Sequence, residues 1–223
     1  MLKIIIGNKA YSSWSLRGWL AVKQSGLPYE EVVVSMYDDA WLERKKQPDL
    51  AVSMGKIPTL WDSETPVWDS IAILDYLNTI TGDVHFWPKD KAALALARSM
   101  AAEMHSGYVP LRKACSMNVR RVFPAQPMSD AVAENVARID ALWCEARSRF
   151  GADGPYLFGA FGAADIMFAP VVFRFWGYEL PASPTAHAYI AAMLAHPWMV
   201  EWVEGARAEN WVLDQYEGGP VYE

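Results

Sequence analysis

The chain has 223 residues, of which 52% are hydrophobic and 21% charged, and its formal net charge is −6. These values are typical of a folded protein with one large domain or two small ones, and they exclude a disordered chain. The basic residues are scattered, so we expect no nucleic-acid partner. The longest apolar stretches are far too short to cross a bilayer, so we also expect no membrane partner.

The two cysteines, Cys115 and Cys144, and the four scattered histidines have no metal-ligand spacing. We therefore predict no metal site and two free thiols, as is usual in the cytoplasm. The first apolar segment, residues 2–6, contains Lys3 and is broken at Gly7, so it lacks the length and cleavage site of a signal peptide. We accordingly expect a cytoplasmic protein.

The first eighty residues alternate between strand and helix patterns. The predicted elements are a buried strand at 2–6, a helix at 12–25 that stops at Gly26, a β-branched strand from Tyr29, an irregular helix at 38–46, two hairpin strands at 57–62 and 66–69, and a helix at 70–82. A helical crossover joins the first two strands, so they should be parallel, whereas the last two form an antiparallel hairpin. The order β-α-β-α-β-β-α predicts an α/β domain.

From residue 91 onward the sequence shows helix patterns only. The predicted helices are a long one at 91–117 that is interrupted near Pro110, one at 128–150, a central buried one at 163–177, and two at 185–195 and 197–209. The composition changes between Gly82 and Pro88. We therefore predict an N-terminal α/β domain at residues 1–82, a linker at 83–88 and an all-helical domain at 89–223.

The sequence YSSWSLR, from Tyr11 to Arg17, contains more hydroxyl groups than a helix start needs. One serine is enough to cap a helix. Serine-type glutathione transferases place a catalytic serine five residues before an arginine of the first helix, and here that count leads from Arg17 back to Ser12. Tyrosine-type enzymes carry a catalytic tyrosine six residues before that arginine, which leads to Tyr11.

Three further motifs strengthen this resemblance to the glutathione transferase superfamily over the whole chain. GKIPTL, from Gly55 to Leu60, resembles the family's turn with a cis proline. Asp69-Ser70 resembles the acid–serine pair that opens the family's third helix. GAFGAADIMFAP is similar to the motif that starts its buried helix, although Gly162 replaces the family's serine or threonine, and there we assign Asp165 a structural role. The resemblance implies a thioredoxin-like N-terminal domain, an all-helical C-terminal domain and a homodimer.

The resemblance also implies a glutathione site. Ser12 would stabilise the thiolate of the co-substrate glutathione, with Tyr11 as its rival and Ser13 as an assisting or capping residue; we prefer Ser12, because SSWS is similar to the SSCS of zeta-class enzymes and to their tau and phi relatives. The backbone of Ile57, before a cis Pro58, would pair with the cysteinyl part. Asp69 and Ser70 would hold the γ-glutamyl end, and Lys56 a carboxylate at either end of the tripeptide.

The second substrate should lie between the two domains. We expect its pocket to be formed by Trp14, Met104, His105, Tyr108 and Arg112, and His105 and Arg112 could bind an anionic co-substrate. Trp14 occupies the position of a cysteine in zeta enzymes, which argues against zeta-type isomerisation and against cysteine-type thiol transfer. The predicted function is conjugation of glutathione to a small electrophile. Another glutathione-dependent reaction, namely isomerase, peroxidase or dehalogenase activity, and a non-catalytic interaction module remain the alternatives.

Overall fold

The computed structural model describes residues 1–83, 86–125 and 127–218. Four strands form one sheet in the order β2-β1-β3-β4: β1 (Leu2–Gly7), β2 (Tyr29–Val34), β3 (Thr59–Asp62) and β4 (Thr65–Val67). Strand β1 runs parallel to β2, with Leu2 opposite Tyr29, and antiparallel to β3, with Ile5 opposite Thr59. Strands β3 and β4 form the expected antiparallel hairpin.

The two faces of the sheet are covered by different elements. Because side chains alternate along a strand, Ile4 and Ile6 of β1 enter the main core, whereas Ile5 enters a smaller cluster with Trp41 and Leu50. The main core is shared with helices α1 (Ser13–Ser25) and α4 (Ser70–Ile80), and the smaller one with the short helices α2 (Asp39–Arg44) and α3 (Pro48–Ala51). Helix α3 was not predicted.

The regular elements in the rest of the described chain are helices: α5 (Lys91–Ser106), α6 (Val109–Ala114), α7 (Asp130–Phe150), α8 (Ala163–Gly177), α9 (Pro184–Leu194), α10 (Pro197–Ala208) and a short 3-10 turn at Asp214–Tyr216. Helix α8 is buried along almost its entire length and contacts α1, α5 and α9, so it lies at the centre. A small mixed sheet with helices followed by a helical domain confirms the predicted fold class. The predicted linker at 83–88 includes residues 84 and 85, which lie outside the described residues.

The predicted interruption of the long helix falls at Gly107 and Tyr108, just before Pro110. Helix α5 ends at Ser106, and Tyr108 takes a left-handed conformation with φ of 58°. Pro110 then lies in the first turn of α6, where a missing N–H costs nothing. This break turns α6 relative to α5 and brings Arg112 toward the start of α1.

Candidate functional site

A cleft of about 390 Å³ lies between the start of α1 and the helical domain. Its walls come from the β1–α1 loop, the loop after β2, Ile57, helix α6, helix α8 and the C-terminal segment. Three basic residues line it, namely Arg112, Lys113 and Arg174, and the lining contains no aspartate or glutamate among the described residues. In a chain with a net charge of −6, the cleft is therefore a local region of positive charge.

Ser12 is the N-cap of α1. Its backbone is extended, with φ of −83° and ψ of 93°, and its side-chain oxygen accepts a hydrogen bond from the Ser15 N–H at 3.3 Å. Ser13 is instead the first residue of the helix, so the prediction that Ser13 is the cap was wrong. The physical reason is that an N-cap needs an extended backbone, which Ser12 has. Both serines line the cleft.

A chain of hydrogen bonds continues from Ser12 into the protein. The Ser12 and Ser15 hydroxyl oxygens lie 2.7 Å apart, and the buried Ser15 oxygen accepts the Gly7 N–H at 2.9 Å. Gly7 is the last residue of β1, so the network fixes Ser12 relative to the strand end. The sequence analysis assigned no role to Ser15; a polar residue one helical turn after a cap was the only available signal.

The phenol of Tyr11 is bound to the C-terminal segment. It donates to Glu217 Oε1 at 2.7 Å and accepts the Leu213 N–H at 3.3 Å, while its ring stacks on Tyr216. Burial and the hydrogen bond to Glu217 raise the pKa of Tyr11 above its ordinary value. Tyr11 lines the cleft, but its hydroxyl already has two hydrogen-bond partners in the C-terminal segment.

The Ile57–Pro58 peptide bond is cis. Ile57 lines the cleft, whereas Pro58 packs under α1 against Gly18. The fit is close, because a Cβ atom at Gly18 would come within 2.7 Å of Pro58 Cγ. Helix α1 and the turn before β3 are thus held at a fixed separation, and both contribute to the walls of the cleft.

The other residues predicted to bind glutathione do not line this cleft. Lys56 is exposed, and its carbonyl accepts hydrogen bonds from Ser53 and Thr59. Asp69 is the N-cap of α4, and its carboxylate also lies 3.4 Å from His105 Nε2. Ser70 is fully buried, and its hydroxyl has no hydrogen-bond partner.

The predicted second-substrate residues divide into two groups. Trp14 and Arg112 line the cleft, and the Arg112 guanidinium lies 4.7 Å from the centre of the Trp14 ring. The ring of His105 packs edge-on against the ring of Trp14, with the ring centres 5.4 Å apart. His105 itself does not line the cleft.

Met104 and Tyr108 are not pocket residues, so these two predictions were wrong. Met104 faces the core because it lies one turn after the buried Met100 on α5. Tyr108 is buried at the helix break, where its hydroxyl donates to Glu103 at 2.6 Å. Because α6 changes direction after this break, the helix spacing that placed Tyr108 beside Arg112 does not apply.

The sequence analysis also missed two buried residues of the cleft wall. Asn8 lies in the β1–α1 loop, where its oxygen accepts the Met36 N–H and its amide nitrogen has no partner. Arg174 lies on the central helix, where it donates to the carbonyls of Cys115 and Pro170. An arginine inside an otherwise apolar helix was a usable signal, since a charged residue is rarely buried without a reason.

Two family models match this chain. The glutathione S-transferase N-terminal domain matches residues 11–80, and the glutathione S-transferase C-terminal domain matches residues 129–205. The chain belongs to the glutathione S-transferase superfamily. No curated protein matches the sequence significantly.

Solved transferase structures share the fold over most of the chain. A glutathione transferase homolog from Burkholderia gl BGR1, with bound glutathione, is 21% identical, covers 93% of this chain and 99% of its own, and has a TM-score of 0.68. A tau-class enzyme from mango is 18% identical, with coverages of 92% and 96% and a TM-score of 0.65. A theta-class enzyme from Xanthomonas axonopodis pv. citri, with glutathione bound, is 17% identical, with coverages of 93% and 98% and a TM-score of 0.62.

The buried-helix motif of this chain keeps its acid. Asp165 accepts the N–H groups of Gly162 and Leu157 at 2.9 and 3.1 Å, so it closes the start of α8 although Gly162 has no capping side chain. Burial raises its pKa to about 6.

Over the parts of the chain that the structure describes, no cluster of potential metal ligands and no helix capable of spanning a membrane is found.

Proposed function

We propose that this transferase activates the thiol of glutathione and conjugates the thiolate to a small electrophile. Family membership supports the use of glutathione, and two of the related structures contain it. The observation that carries the proposal is the position of Ser12, whose hydroxyl lies on the cleft wall at the N-terminus of a 13-residue helix.

The chemical task is to stabilise a thiolate. A free cysteine thiol has a pKa of about 8.5, so little thiolate exists at neutral pH. Lowering the pKa by about two units requires ~2.7 kcal/mol of preferential stabilisation of the thiolate. A hydroxyl that donates to a charged acceptor contributes ~1.5–3 kcal/mol, and a helix N-terminus adds ~0.3–1 kcal/mol. Ser12 is placed to supply both contributions.

The Ser12 proton must point toward the sulfur for this role. Hydroxyl hydrogens rotate, and Ser15 can donate to Ser12 instead of accepting from it. In that arrangement Gly7 donates to Ser15, Ser15 to Ser12, and Ser12 to the thiolate. Hydrogen bonds in such a chain polarise one another, which makes Ser12 a better donor. We assign Ser15 as a positioning residue on this basis.

Tyr11 is less suited to be the thiolate partner. Its hydroxyl hydrogen bonds to the Glu217 carboxylate, which competes with any thiolate for the same proton. Ser13 is one residue inside the helix and lines the cleft, so an assisting role remains part of the proposal.

The tripeptide would extend from the cleft along the N-terminal domain. Ile57 borders the cleft and would pair with the cysteinyl backbone, as an added strand does. Asp69 at the start of α4 would accept from the γ-glutamyl ammonium, and the α4 N-terminus with Ser70 would receive the α-carboxylate. Lys56 is exposed and would pair with a carboxylate at one end of the tripeptide.

Calorimetric titration with glutathione tests the binding, and a chlorodinitrobenzene assay tests the chemistry. We expect the wild type to bind glutathione, and Ser12→Ala to bind it with similar affinity while losing about 10- to 100-fold in turnover, because the ~1.5–3 kcal/mol contribution of the hydroxyl is removed and that of the helix N-terminus stays. Ser148→Ala is the control, because it removes an exposed hydroxyl of α7 that does not line the cleft. No binding at millimolar glutathione would favour a non-catalytic module, and near-normal turnover of Ser12→Ala would reject Ser12.

We further propose a cytoplasmic homodimer, as in the family. Light scattering during gel filtration measures the mass directly, and the expected value is twice the 25.0 kDa of one chain. A mass equal to one chain would reject the dimer.

A further inference from the structure

We propose that the cleft selects electrophiles that carry a carboxylate, which is held by Arg112 and Arg174 while Arg17 supports the site from behind Trp14. This inference rests on the proposed transferase function and adds a substrate class to it. It arises from Arg112 and Arg174 on the cleft wall, where the described lining contains no acidic residue, and from the nearby Arg17.

None of the three arginines forms an ion pair with any described residue. Arg174 donates to two backbone carbonyls, and Arg112 makes long contacts of 3.4 Å to the carbonyls of His105 and Gly107. Buried arginines are normally paired with carboxylates or phosphates. Among the described residues no carboxylate lies within ion-pair distance of these arginines, which points to an anionic ligand.

Arg17 strengthens this argument. It is fully buried, and among the described residues its guanidinium has one hydrogen-bond partner, the Met167 carbonyl, 2.9 Å from Nε. Both terminal nitrogens of its guanidinium lack hydrogen-bond partners. The group lies 4.9 Å from the centre of the Trp14 ring, and Trp14 lines the cleft.

The three positive charges also disfavour one another. Burial first, and then the charges of Arg174 and Arg112, hold the pKa of Arg17 well below its ordinary value, against the smaller opposing effect of the Asp69 charge. Burial and the Arg112 charge lower the pKa of Arg174 to about 10, which still leaves it protonated at neutral pH. A bound anion would relieve this repulsion, and a planar carboxylate matches the fork of a guanidinium.

The anion is better assigned to the second substrate than to glutathione. Arg112 and Arg174 belong to α6 and α8 of the helical domain. The proposed glutathione contacts, at Ile57, Asp69 and Ser70, belong to the N-terminal domain. Trp14 lines the cleft beside Arg112, where it would contact a ring that carries the carboxylate.

A chlorinated dinitrobenzoate fits these requirements and serves as the probe. The thiolate sulfur attacks the ring carbon that carries chlorine, a C–S bond forms, the C–Cl bond breaks, and chloride leaves with the electron pair. The thiol proton is released to solvent before the attack. Uncharged chlorodinitrobenzene follows the same steps, so the two probes differ mainly in the carboxylate.

The experiment measures both probes with the wild type, Arg112→Gln and Arg112→Lys. We expect Arg112→Gln to raise KM for chlorodinitrobenzoate about tenfold more than it raises KM for chlorodinitrobenzene, which corresponds to about 1.4 kcal/mol. Arg112→Lys keeps the charge but not the planar fork, so it should restore part of the loss. Arg207→Gln removes an exposed positive charge from α10 and serves as the matched control.

Unreactive dinitrobenzoate separates this inference from the transferase function, because its binding can be measured by calorimetry without turnover. If dinitrobenzoate binds to the wild type and Arg112→Gln weakens this binding, the anion site is supported even if neither chlorinated probe is conjugated. In that case the transferase proposal alone would fail. The carboxylate site would be overturned if the wild type conjugates both probes with the same KM. It would also be overturned if Arg112→Gln raises KM for both probes equally. Absence of dinitrobenzoate binding would overturn it too.

Discussion

The hydroxyl oxygens of Ser12 and Ser15 lie 2.7 Å apart, and Ser15 in turn accepts the N–H of Gly7 at the end of β1. The residue proposed to face the sulfur is therefore fixed by the central strand as well as by its own helix. This relationship makes Ser15 the most informative position for testing how the thiolate is stabilised.

Ser15→Ala should raise the thiol pKa of bound glutathione by about 0.5 to 1 unit. The reason is that Ser12 loses a partner worth about 0.5–1.5 kcal/mol, and one pKa unit corresponds to about 1.4 kcal/mol. Ultraviolet absorbance of the thiolate, followed through a pH titration of the binary complex, measures this directly. The substitution should also destabilise the fold by about 1–3 kcal/mol, because the buried Gly7 N–H loses its acceptor. An unchanged thiol pKa in a folded variant would remove Ser15 from the mechanism.

Tyr11→Phe should retain most of the turnover and lose stability. The lost hydroxyl bonds Glu217 and the backbone of Leu213, and a partly buried hydrogen bond to a charged group contributes about 1.5–3 kcal/mol. Denaturant unfolding measures the stability change, and a chlorodinitrobenzene assay of the same preparation measures turnover. A loss of turnover as large as that of Ser12→Ala would instead assign the thiolate to Tyr11.

Gly18→Ala should weaken glutathione binding. Alanine is better than glycine in a helix by about 1 kcal/mol, which alone would stabilise α1. Its Cβ atom, however, would lie 2.7 Å from Pro58 Cγ and 2.8 Å from Pro58 Cβ, and a proline ring cannot rotate away. Overpacking of this kind costs about 1–3 kcal/mol, so the clash should dominate and displace Ile57 beside it.

Unfolding and calorimetric titration together test this expectation. Gly177→Ala is the matched control, because its added Cβ would come no closer than 3.3 Å to the atoms around it. A Gly18→Ala variant that is more stable than the wild type and binds glutathione normally would contradict the proposed coupling between α1 and the Ile57–Pro58 turn.

The fold could be predicted from the sequence because its signals are local. The strand pattern of β1, the stop at Gly26 and the buried α8 each follow from spacing within one element. The site depends on contacts between distant elements, such as Tyr11 with Glu217, which lie 206 residues apart in the chain. No spacing rule reports such a contact.

Errors within the site have the same origin. Met104, Tyr108 and Arg112 were placed on neighbouring turns, where helix spacing would set their shared face, although an interruption near Pro110 was predicted. The break at Gly107 and Tyr108 rotates the following residues, so only Arg112 reaches the cleft. Arg174 was overlooked because the apolar pattern of α8 favoured a purely structural interpretation.

The stability of the protein should depend on Asp165 between about pH 4 and 6. Burial raises the pKa of this carboxyl from 3.8 to about 6, against the opposing effect of its backbone hydrogen bonds. Within that interval the native state therefore binds more protons than the unfolded state. The free energy of unfolding should fall as pH rises through it, by a total on the order of 3 kcal/mol, and level off above it.

Comparison with Asp165→Asn isolates this contribution, because the amide does not titrate. The difference in unfolding free energy between wild type and variant, measured by denaturant titration from pH 4 to 7, should decrease with rising pH. Asparagine has one side-chain oxygen and cannot accept from both Gly162 and Leu157, so the variant should also carry a constant loss of about 1–3 kcal/mol. Asp130→Asn, an exposed acid at the start of α7, is the control. A difference that grows with pH would mean that the two N–H groups outweigh burial and keep the carboxylate charged.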